Sequence, residues 1–214
     1  MARAERPQTL GEEIANSLSH GLGLLAAVVA VPFLLLATAR HGGPANLVGA
    51  SVFSATMVLL YFTSTVYHAC PPRRAKEILR KLDHGAIYLF IAGSYTPFTL
   101  GVLHGPWGWT LLGLVWGIAA VGVTLKAVDR IAHPWLSTGL YLVMGWLALI
   151  AIVPMVERMP LAGLAWIAAG GLAYTAGVVF FALDSRVRYA HFLWHLFVIG
   201  GTACHFVAVL DYAA

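Results

Sequence analysis

Charged residues are scarce in this 214-residue sequence. Asp, Glu, Lys and Arg make up 10% of it, whereas hydrophobic residues make up 60%. A soluble domain carries about 25% charged residues, so this chain lacks the polar surface that a water-soluble globule needs, and it is too apolar for a disordered chain. Cysteine is also rare. The presence of only Cys70 and Cys204 excludes a secreted disulfide scaffold. The composition therefore indicates an integral membrane protein.

The few charges separate long uncharged runs, and these runs predict an all-α fold with seven transmembrane helices. About 20 apolar residues cross the hydrocarbon core of a bilayer as a helix. Five runs hold one crossing each, and the run 84–125 holds two, with a turn at His104-Gly105-Pro106-Trp107-Gly108. The predicted helices are 21–39, 47–69, 84–103, 108–126, 134–154, 161–183 and 190–211. Hydrophobicity is continuous rather than alternating along the runs, which argues against a β-barrel.

The basic residues are distributed unevenly across the predicted membrane. Eleven of the thirteen Lys and Arg fall in the N-terminal tail or in the loops after the second, fourth and sixth predicted helices, and only Arg40 and Arg158 fall on the other side. The positive-inside rule then places the N-terminus in the cytoplasm and the C-terminus outside. Residues 1–20 are predicted to form a cytoplasmic tail or lead-in helix, and residues 21–214 a single seven-helix domain.

The net charge of +4 does not indicate nucleic-acid binding, because the basic residues sit in short loops where they set topology and meet anionic headgroups. We expect membrane lipid, rather than nucleic acid, as the partner of this chain. A disulfide is not expected, since Cys70 is placed at the edge of the second helix and Cys204 well inside the seventh.

Polar residues from four separate segments are predicted to meet at the cytoplasmic ends of the helices. They are Glu13, Asn16 and His20 before the first helix, Ser64 and His68 in the second, Asp83 at the start of the third, and His191 and His195 at the start of the seventh. The outer ends of the helices carry no comparable set. Ionisable groups inside helical membrane proteins are costly and usually functional, so this convergence indicates a functional site.

The spacing of the histidines predicts a zinc site. His191 and His195 are four residues apart and therefore share one helix face. Together with His68 they supply three imidazole nitrogens, and a catalytic zinc takes three protein ligands and leaves the fourth position to water. Asp83 could hold or deprotonate that water, whose pKa the metal lowers to about 7.

Each residue also has a simpler interpretation. His68 could be an interfacial histidine beside the basic loop. Asp83 could pair with Arg80 or Lys81, or cap the N-terminus of the third helix. The segment from Glu13 to His20 could be a solvated amphipathic lead-in.

His205 follows His195 by ten residues and would lie about 15 Å deeper at the rise of an α-helix. This distance is too great for the same ion. We therefore expect His205 to form a hydrogen bond or a packing contact.

The order of these residues resembles the progestin and adipoQ receptor family, and most of all its bacterial hemolysin III branch. The matching motifs are Glu13-x-x-Asn16-x-x-x-His20, Ser64-x-x-x-His68, Asp83, Gly93-Ser94-x-x-Pro97 and His191-x-x-x-His195-x9-His205. The resemblance runs from residue 13 to residue 206. It implies an adiponectin-receptor-like seven-helix fold with a cytoplasmic N-terminus, located in the plasma (inner) membrane of a bacterium.

The resemblance also implies roles for the clustered residues. His68, His191 and His195 would bind Zn²⁺, Asp83 would contact the zinc-bound water, and Ser64 would help to stabilise an oxyanion. The supporting residues would hold the zinc site or the first helix. These supporting residues are Glu13, Asn16, His20 and His205.

The expected function is that of a zinc-dependent membrane hydrolase of a lipid amide or ester, similar to alkaline ceramidases. A membrane-state sensor with a structural zinc, a transporter with a histidine relay, and a pore-forming hemolysin remain as alternatives. Three ligands plus water favour catalysis over a structural site. The concentration of polar residues in one leaflet argues against the transporter and the pore.

Overall fold

The computed structural model describes residues 6–71, 74–130 and 134–213. In this part of the chain, seven helices are long and apolar enough to cross a membrane, and no strand is present. The all-α fold and the number of helices predicted from the sequence are thus confirmed. Arg3 and Arg73, which contribute to the count of basic residues, lie outside the described residues.

The seven helices follow one another with short connections. They are α1 (Leu10–His41), α2 (Pro44–Ala69), α3 (Arg74–Pro97), α4 (Gly105–Ala127), α5 (Pro134–Trp146), α6 (Leu161–Leu183) and α7 (Ala190–Tyr212). A π-helical turn, Phe98–Val102, prolongs α3 beyond Pro97. The fifth crossing continues from α5 through a 3-10 turn, Leu147–Ala151, and a short helix, Ile152–Arg158.

The first helix begins well before the predicted hydrophobic span. The Thr9 hydroxyl accepts a hydrogen bond from the Glu12 amide, and the Glu12 carboxylate accepts one from the Thr9 amide. This reciprocal capping box starts the helix at Leu10. Residues 10–20 and the membrane span therefore form one continuous helix. The assignment of residues 1–20 as a separate cytoplasmic segment stays a prediction.

The third helix also begins early, at Arg74. Residues 74–82 are mainly Arg, Ala, Lys, Glu and Leu, which favour helix even outside a hydrophobic run. Asp83 therefore lies inside α3, and the interpretation of Asp83 as a helix cap is wrong.

Small residues bring the helices into close contact. A Cβ atom on Gly49 of α2 would lie 2.7 Å from the Cα of Pro97, and one on Gly170 of α6 would lie 2.3 Å from the ring of His205 in α7. Such close approach is typical of membrane helices, where packing rather than burial from water holds the bundle together. The N-terminal half of α1 contacts α2 through the Ser17 hydroxyl and the Thr65 carbonyl, and the start of α7 through the Asn16 carbonyl and His195. These contacts bring its polar stripe beside the histidines.

Two smaller predictions are also confirmed. The turn between the third and fourth helices falls at the expected place, with α4 starting at Gly105, whose φ is +74°, and Pro106 in its first turn. Cys70 and Cys204 are both free thiols.

Candidate metal centre

Three histidines from two helices converge at one end of the bundle. His68 lies in the last turn of α2, and His191 and His195 lie in the first two turns of α7. One ligand nitrogen from each lies within 4.8 Å of those of the other two, so the group could hold a metal ion. The ring centroids are 4.8 Å apart between His191 and His195, and 5.1 Å from each of these to His68.

Each of the three imidazoles is held from behind by an oxygen acceptor. The Nδ1 contacts are His68 to Glu13 Oε2 at 2.8 Å, His191 to Asp184 Oδ2 at 3.0 Å, and His195 to the Asn16 carbonyl at 3.1 Å. Carboxylate and carbonyl oxygens only accept, so Nδ1 carries the proton and Nε2 keeps its lone pair. This is the arrangement that metal-binding histidines normally have.

The donor set fits a metal in a further respect. Nε2 of His68 is buried and has no hydrogen-bond partner. A buried polar atom without a partner is unfavourable, and an ion held among the three rings would supply the missing interaction. Three neutral nitrogens are also ligands that zinc prefers.

The N-terminal part of α1 supplies most of the acceptors. Glu13 bridges His68 and Lys76, because its second oxygen lies 2.6 Å from the Lys76 ammonium. Asn16 is fully buried, and its side chain donates to Gln8 at 2.7 Å. Ser19 lies 2.9 Å from His195 Nδ1 and donates to the Asn16 carbonyl at 2.8 Å.

The interpretation of this segment as a solvated lead-in is wrong. Asn16 is 0% exposed and His20 is 3% exposed. The spacing of three and four residues places both on the face of α1 that packs against the histidine group.

His20 joins the histidine group to a hydroxyl and a carboxyl group. Its ring stacks on that of His195 at a centroid distance of 3.5 Å, and its Nδ1 lies 2.7 Å from the Ser64 hydroxyl. Ser64 also interacts with the buried Asp83. Asp83 is not part of the group of atoms that could bind one ion together. Ser64 and Asp83 thus lie beside the histidines.

The proposed ion pair of Asp83 with Lys81 does not form. Lys81 instead lies 2.5 Å from Asp129 in the loop after α4.

Sequence reasoning missed Asp184 as the partner of His191. Asp184 is the only acid between residues 159 and 210 of the sequence, which is the signal that could have drawn attention to it. Its distance of seven residues from His191 crosses a loop, so helix periodicity does not connect the two. Nothing in the sequence connects Lys76 with Glu13, from which it is 63 residues away.

A second missed residue is Glu12, which attaches the N-terminal segment to the loop between α6 and α7. Arg6 donates two hydrogen bonds to the Glu12 carboxylate, at 2.6 and 2.7 Å, and the Tyr189 amide donates a third at 2.9 Å. The hydrogen bond with this carboxylate raises the pKa of the Arg6 guanidinium. The same loop carries Asp184, so Glu12 is connected to the histidine group through the backbone.

A cavity of about 130 Å³ extends from the histidines into the bundle, between α3, α5, α6 and α7. Apolar side chains such as Ile87 and Val198 form much of its wall, and His205 lies on it farther along α7. His205 Nε2 contacts the Ile167 carbonyl at 3.3 Å, and its ring packs edge-on against Tyr174. The expected hydrogen bond and packing contact of His205 are therefore both present.

The chain is similar to known proteins over almost its whole length. A family model described as "Haemolysin-III related" matches residues 8–206. The chain is 41% identical to the "Hemolysin-3 homolog" of Bacillus subtilis (strain 168), over 95% of each chain. It is 40% identical to "Hemolysin-3" of Bacillus cereus, over 96% of this chain and 93% of the relative. It is 28% identical to the human "Monocyte to macrophage differentiation factor", over 95% and 85%.

Proposed function

The chain belongs to the haemolysin-III related family, and we propose that it is a zinc-dependent membrane hydrolase that cleaves an amide or ester bond in a lipid. The observation that carries this proposal is the group formed by His68, His191 and His195, with ligand atoms within 4.8 Å of one another. A closed structural zinc site normally has four protein ligands, whereas a catalytic site has three and an open position. The described residues supply three.

The side chains around the group suit hydrolysis. When bound, zinc would polarise the scissile carbonyl and lower the pKa of a bound water to about 7. Asp83 is proposed as the general base that takes the proton from the attacking water. The Ser64 hydroxyl is proposed to donate to the carbonyl oxygen as negative charge develops on it. A proton on His20 Nδ1 would be donated to the Ser64 oxygen, and the Ser64 proton would then move from its contact with Asp83 to the oxygen of the substrate.

A lipid substrate is supported by the cavity, whose largely apolar wall begins at the histidines. An acyl chain could occupy it while the carbonyl group stays beside Asp83 and Ser64. The bacterial relatives suggest a plasma membrane, and the basic loops at this end of the bundle suggest that the site faces the cytoplasmic leaflet.

A second candidate function is a membrane-state sensor in which the metal is structural. It is supported by the separation of the ligands, because an ion bound by His68 of α2 and His195 of α7 would tie together two helices distant in the sequence. Removal of the metal would then change stability without affecting any reaction.

The test is the metal content of detergent-purified protein, measured by mass spectrometry. Wild type is expected to carry about one zinc per chain, and His191→Ala/His195→Ala to lose it. His41→Ala/His104→Ala, which removes two histidines at the other end of the bundle, is the matched control and should keep it.

A panel of lipid amides and esters then follows, with and without chelator. Chelator-sensitive hydrolysis is the expected result. A folded wild type without metal, purified in the absence of chelator, would overturn the hydrolase. Bound zinc with no hydrolysis, and with thermal stability that falls on metal removal, would instead support the sensor.

A further inference from the structure

A second polar cluster lies between α3 and α4, at the same end of the bundle as the histidines. Gly122 of α4 packs against the ring of Tyr88 in α3, and a Cβ atom on Gly122 would lie 2.5 Å from that ring. The two helices are antiparallel, so one further turn on each brings Lys126 to the level of His84. The Lys81 ammonium, 3.3 Å from the Ala127 carbonyl, confirms this register.

Three cationic side chains, Arg80, Lys81 and Lys126, lie here, and the carboxylate that acts on Lys126 is that of Asp129. Lys126 is only 9% exposed, and both it and His84 lie within the electrostatic influence of Arg80. Among the described residues, no ion pair includes Lys126 or Arg80, because the nearby Asp129 is bonded to Lys81 at 2.5 Å. A largely buried cation beside a second cation is unfavourable unless an anion compensates it.

The cluster adjoins the candidate metal centre. His84 follows Asp83 directly in the sequence, and both residues line the cavity that begins at the histidines. Arg80 and Lys126 do not line the cavity, so an anionic group between them and His84 would sit beside it, where His84 forms part of its wall. The rest of the same molecule could extend inward along the apolar wall.

We propose that Arg80, His84 and Lys126 bind the phosphate group of a lipid headgroup. Arg and Lys are the side chains that bind phosphate oxygens most strongly, and anionic headgroups lie at the depth where these helix ends meet the membrane surface. This inference rests on the proposed function and narrows it, since the substrate becomes a phosphate-bearing lipid rather than a neutral one.

The experiment is native mass spectrometry of the purified full-length protein with three probes. These are phosphatidic acid, diacylglycerol with the same acyl chains, and inorganic phosphate. The two lipids differ only in the phosphate group. We expect wild type to bind phosphatidic acid in preference to diacylglycerol.

Two variants and one matched control locate the binding position. Lys126→Met and Arg80→Gln should each weaken binding of phosphatidic acid by about fivefold, the effect of one basic residue at a membrane surface, and leave diacylglycerol binding unchanged. Arg74→Gln removes an exposed positive charge at the start of the same helix, away from the contact of Lys81 with Asp129, and it should bind as wild type does. Thermal unfolding shows whether each variant is folded. If Lys126→Met does not fold, Arg80→Gln still tests the proposal, because Arg80 is exposed and its replacement should not disturb the fold.

Three outcomes would overturn the proposal. These are equal binding of the two lipids by wild type, an equal loss in Arg74→Gln, and binding of inorganic phosphate as tight as that of phosphatidic acid, which would identify a free anion as the ligand. Metal content is measured on the same samples. If wild type carries no metal, the proposed hydrolase function is excluded. The comparison of phosphatidic acid with diacylglycerol would still test the binding of the headgroup.

Discussion

At the scale of single residues, the two carboxylates behind the histidines differ in their surroundings. Glu13 shares its charge between His68 and Lys76, whereas Asp184 pairs with His191 at the end of α6. Both orient an imidazole and increase its basicity toward a metal. His195 is held by the Asn16 carbonyl and the Ser19 hydroxyl instead, so its orientation depends on the path of α1, which carries both.

The first prediction concerns these carboxylates. Glu13→Gln and Asp184→Asn should each weaken zinc binding by about 10- to 100-fold, because an amide holds the imidazole less strongly than a carboxylate does. Competition with a zinc chelator measures the affinity. Asp129→Asn, which removes a carboxylate bonded to Lys81 away from the site, is the control. Unchanged affinity in both site variants would show that these contacts do not support the metal.

The second prediction separates catalysis from metal binding. Asp83→Asn should keep zinc and lose turnover by about 10²- to 10⁴-fold, the usual contribution of a general base. Turnover is measured on the lipid that wild type hydrolyses, and metal content on the same sample. Loss of zinc from this variant would instead identify Asp83 as a ligand, and full activity would exclude it as the base.

At the scale of helices, the early start of α1 is what builds the site. The capping box at Thr9 and Glu12 extends the helix beyond its hydrophobic span, and this extension carries Glu13, Asn16 and His20. Glu12 then attaches the segment to the loop between α6 and α7 through the Tyr189 amide. Tyr189 has φ 59°, in the left-handed region, so the loop has little intrinsic preference for this shape.

The third prediction follows from this attachment. Glu12→Ala should weaken zinc binding by about tenfold, because the loop that carries Asp184 loses its anchor. Thr9→Ala removes the cap and one hydrogen bond to the Glu12 carboxylate but leaves the contact with the Tyr189 amide, so it should lower stability by about 1 kcal/mol and leave zinc affinity close to that of wild type. Chelator competition and thermal unfolding give the two readouts. Equal zinc affinity in Glu12→Ala and wild type would contradict the role of the anchor.

The fourth prediction concerns the contact of α2 with α3. Gly49→Ala should destabilise the protein by about 1–3 kcal/mol, the usual range for an overpacked core, because the new methyl group would meet the backbone of Pro97 at 2.7 Å. Gly113→Ala in α4 meets nothing within 4 Å and serves as the control. Unfolding in detergent compares the two, and equal stability would show that the helices can separate without cost.

At the scale of the whole molecule, polar and basic groups are concentrated at one end of the bundle. The other end is joined by hydrogen bonds to backbone carbonyls, such as that of the Asn46 side chain to Ala213 at 3.0 Å and that of Arg158 to Leu103. If the basic end faces the cytoplasm, the histidines lie in the cytoplasmic leaflet.

The fifth prediction tests this orientation with reporter fusions. Green fluorescent protein should fluoresce at the N-terminus, and alkaline phosphatase should be active at the C-terminus, because it folds only outside the cytoplasm. The exchanged fusions, with phosphatase at the N-terminus and fluorescent protein at the C-terminus, should both be inactive. The reverse pattern would place the histidines in the outer leaflet.

The number of helices and their approximate positions follow from the sequence alone, because the length of an uncharged apolar run is a local property. Helix spacing also placed His191 and His195 on one face. Successive helices cross the membrane in opposite directions. The end of the second helix, with His68, and the start of the third, with Asp83, are therefore predicted at the same end of the bundle. None of this required knowledge of how the helices pack.

Only the tertiary structure decided what lies behind the ligands. Glu13 reaches His68 across 55 residues, and the Tyr189 amide reaches Glu12 across 177. Such pairs depend on which helix faces meet and where the loops cross, and neither has a local periodicity. Hydrophobic runs specify that a helix spans the membrane but leave its rotation and its neighbours to packing, so the contacts that complete the site emerge only when the bundle assembles.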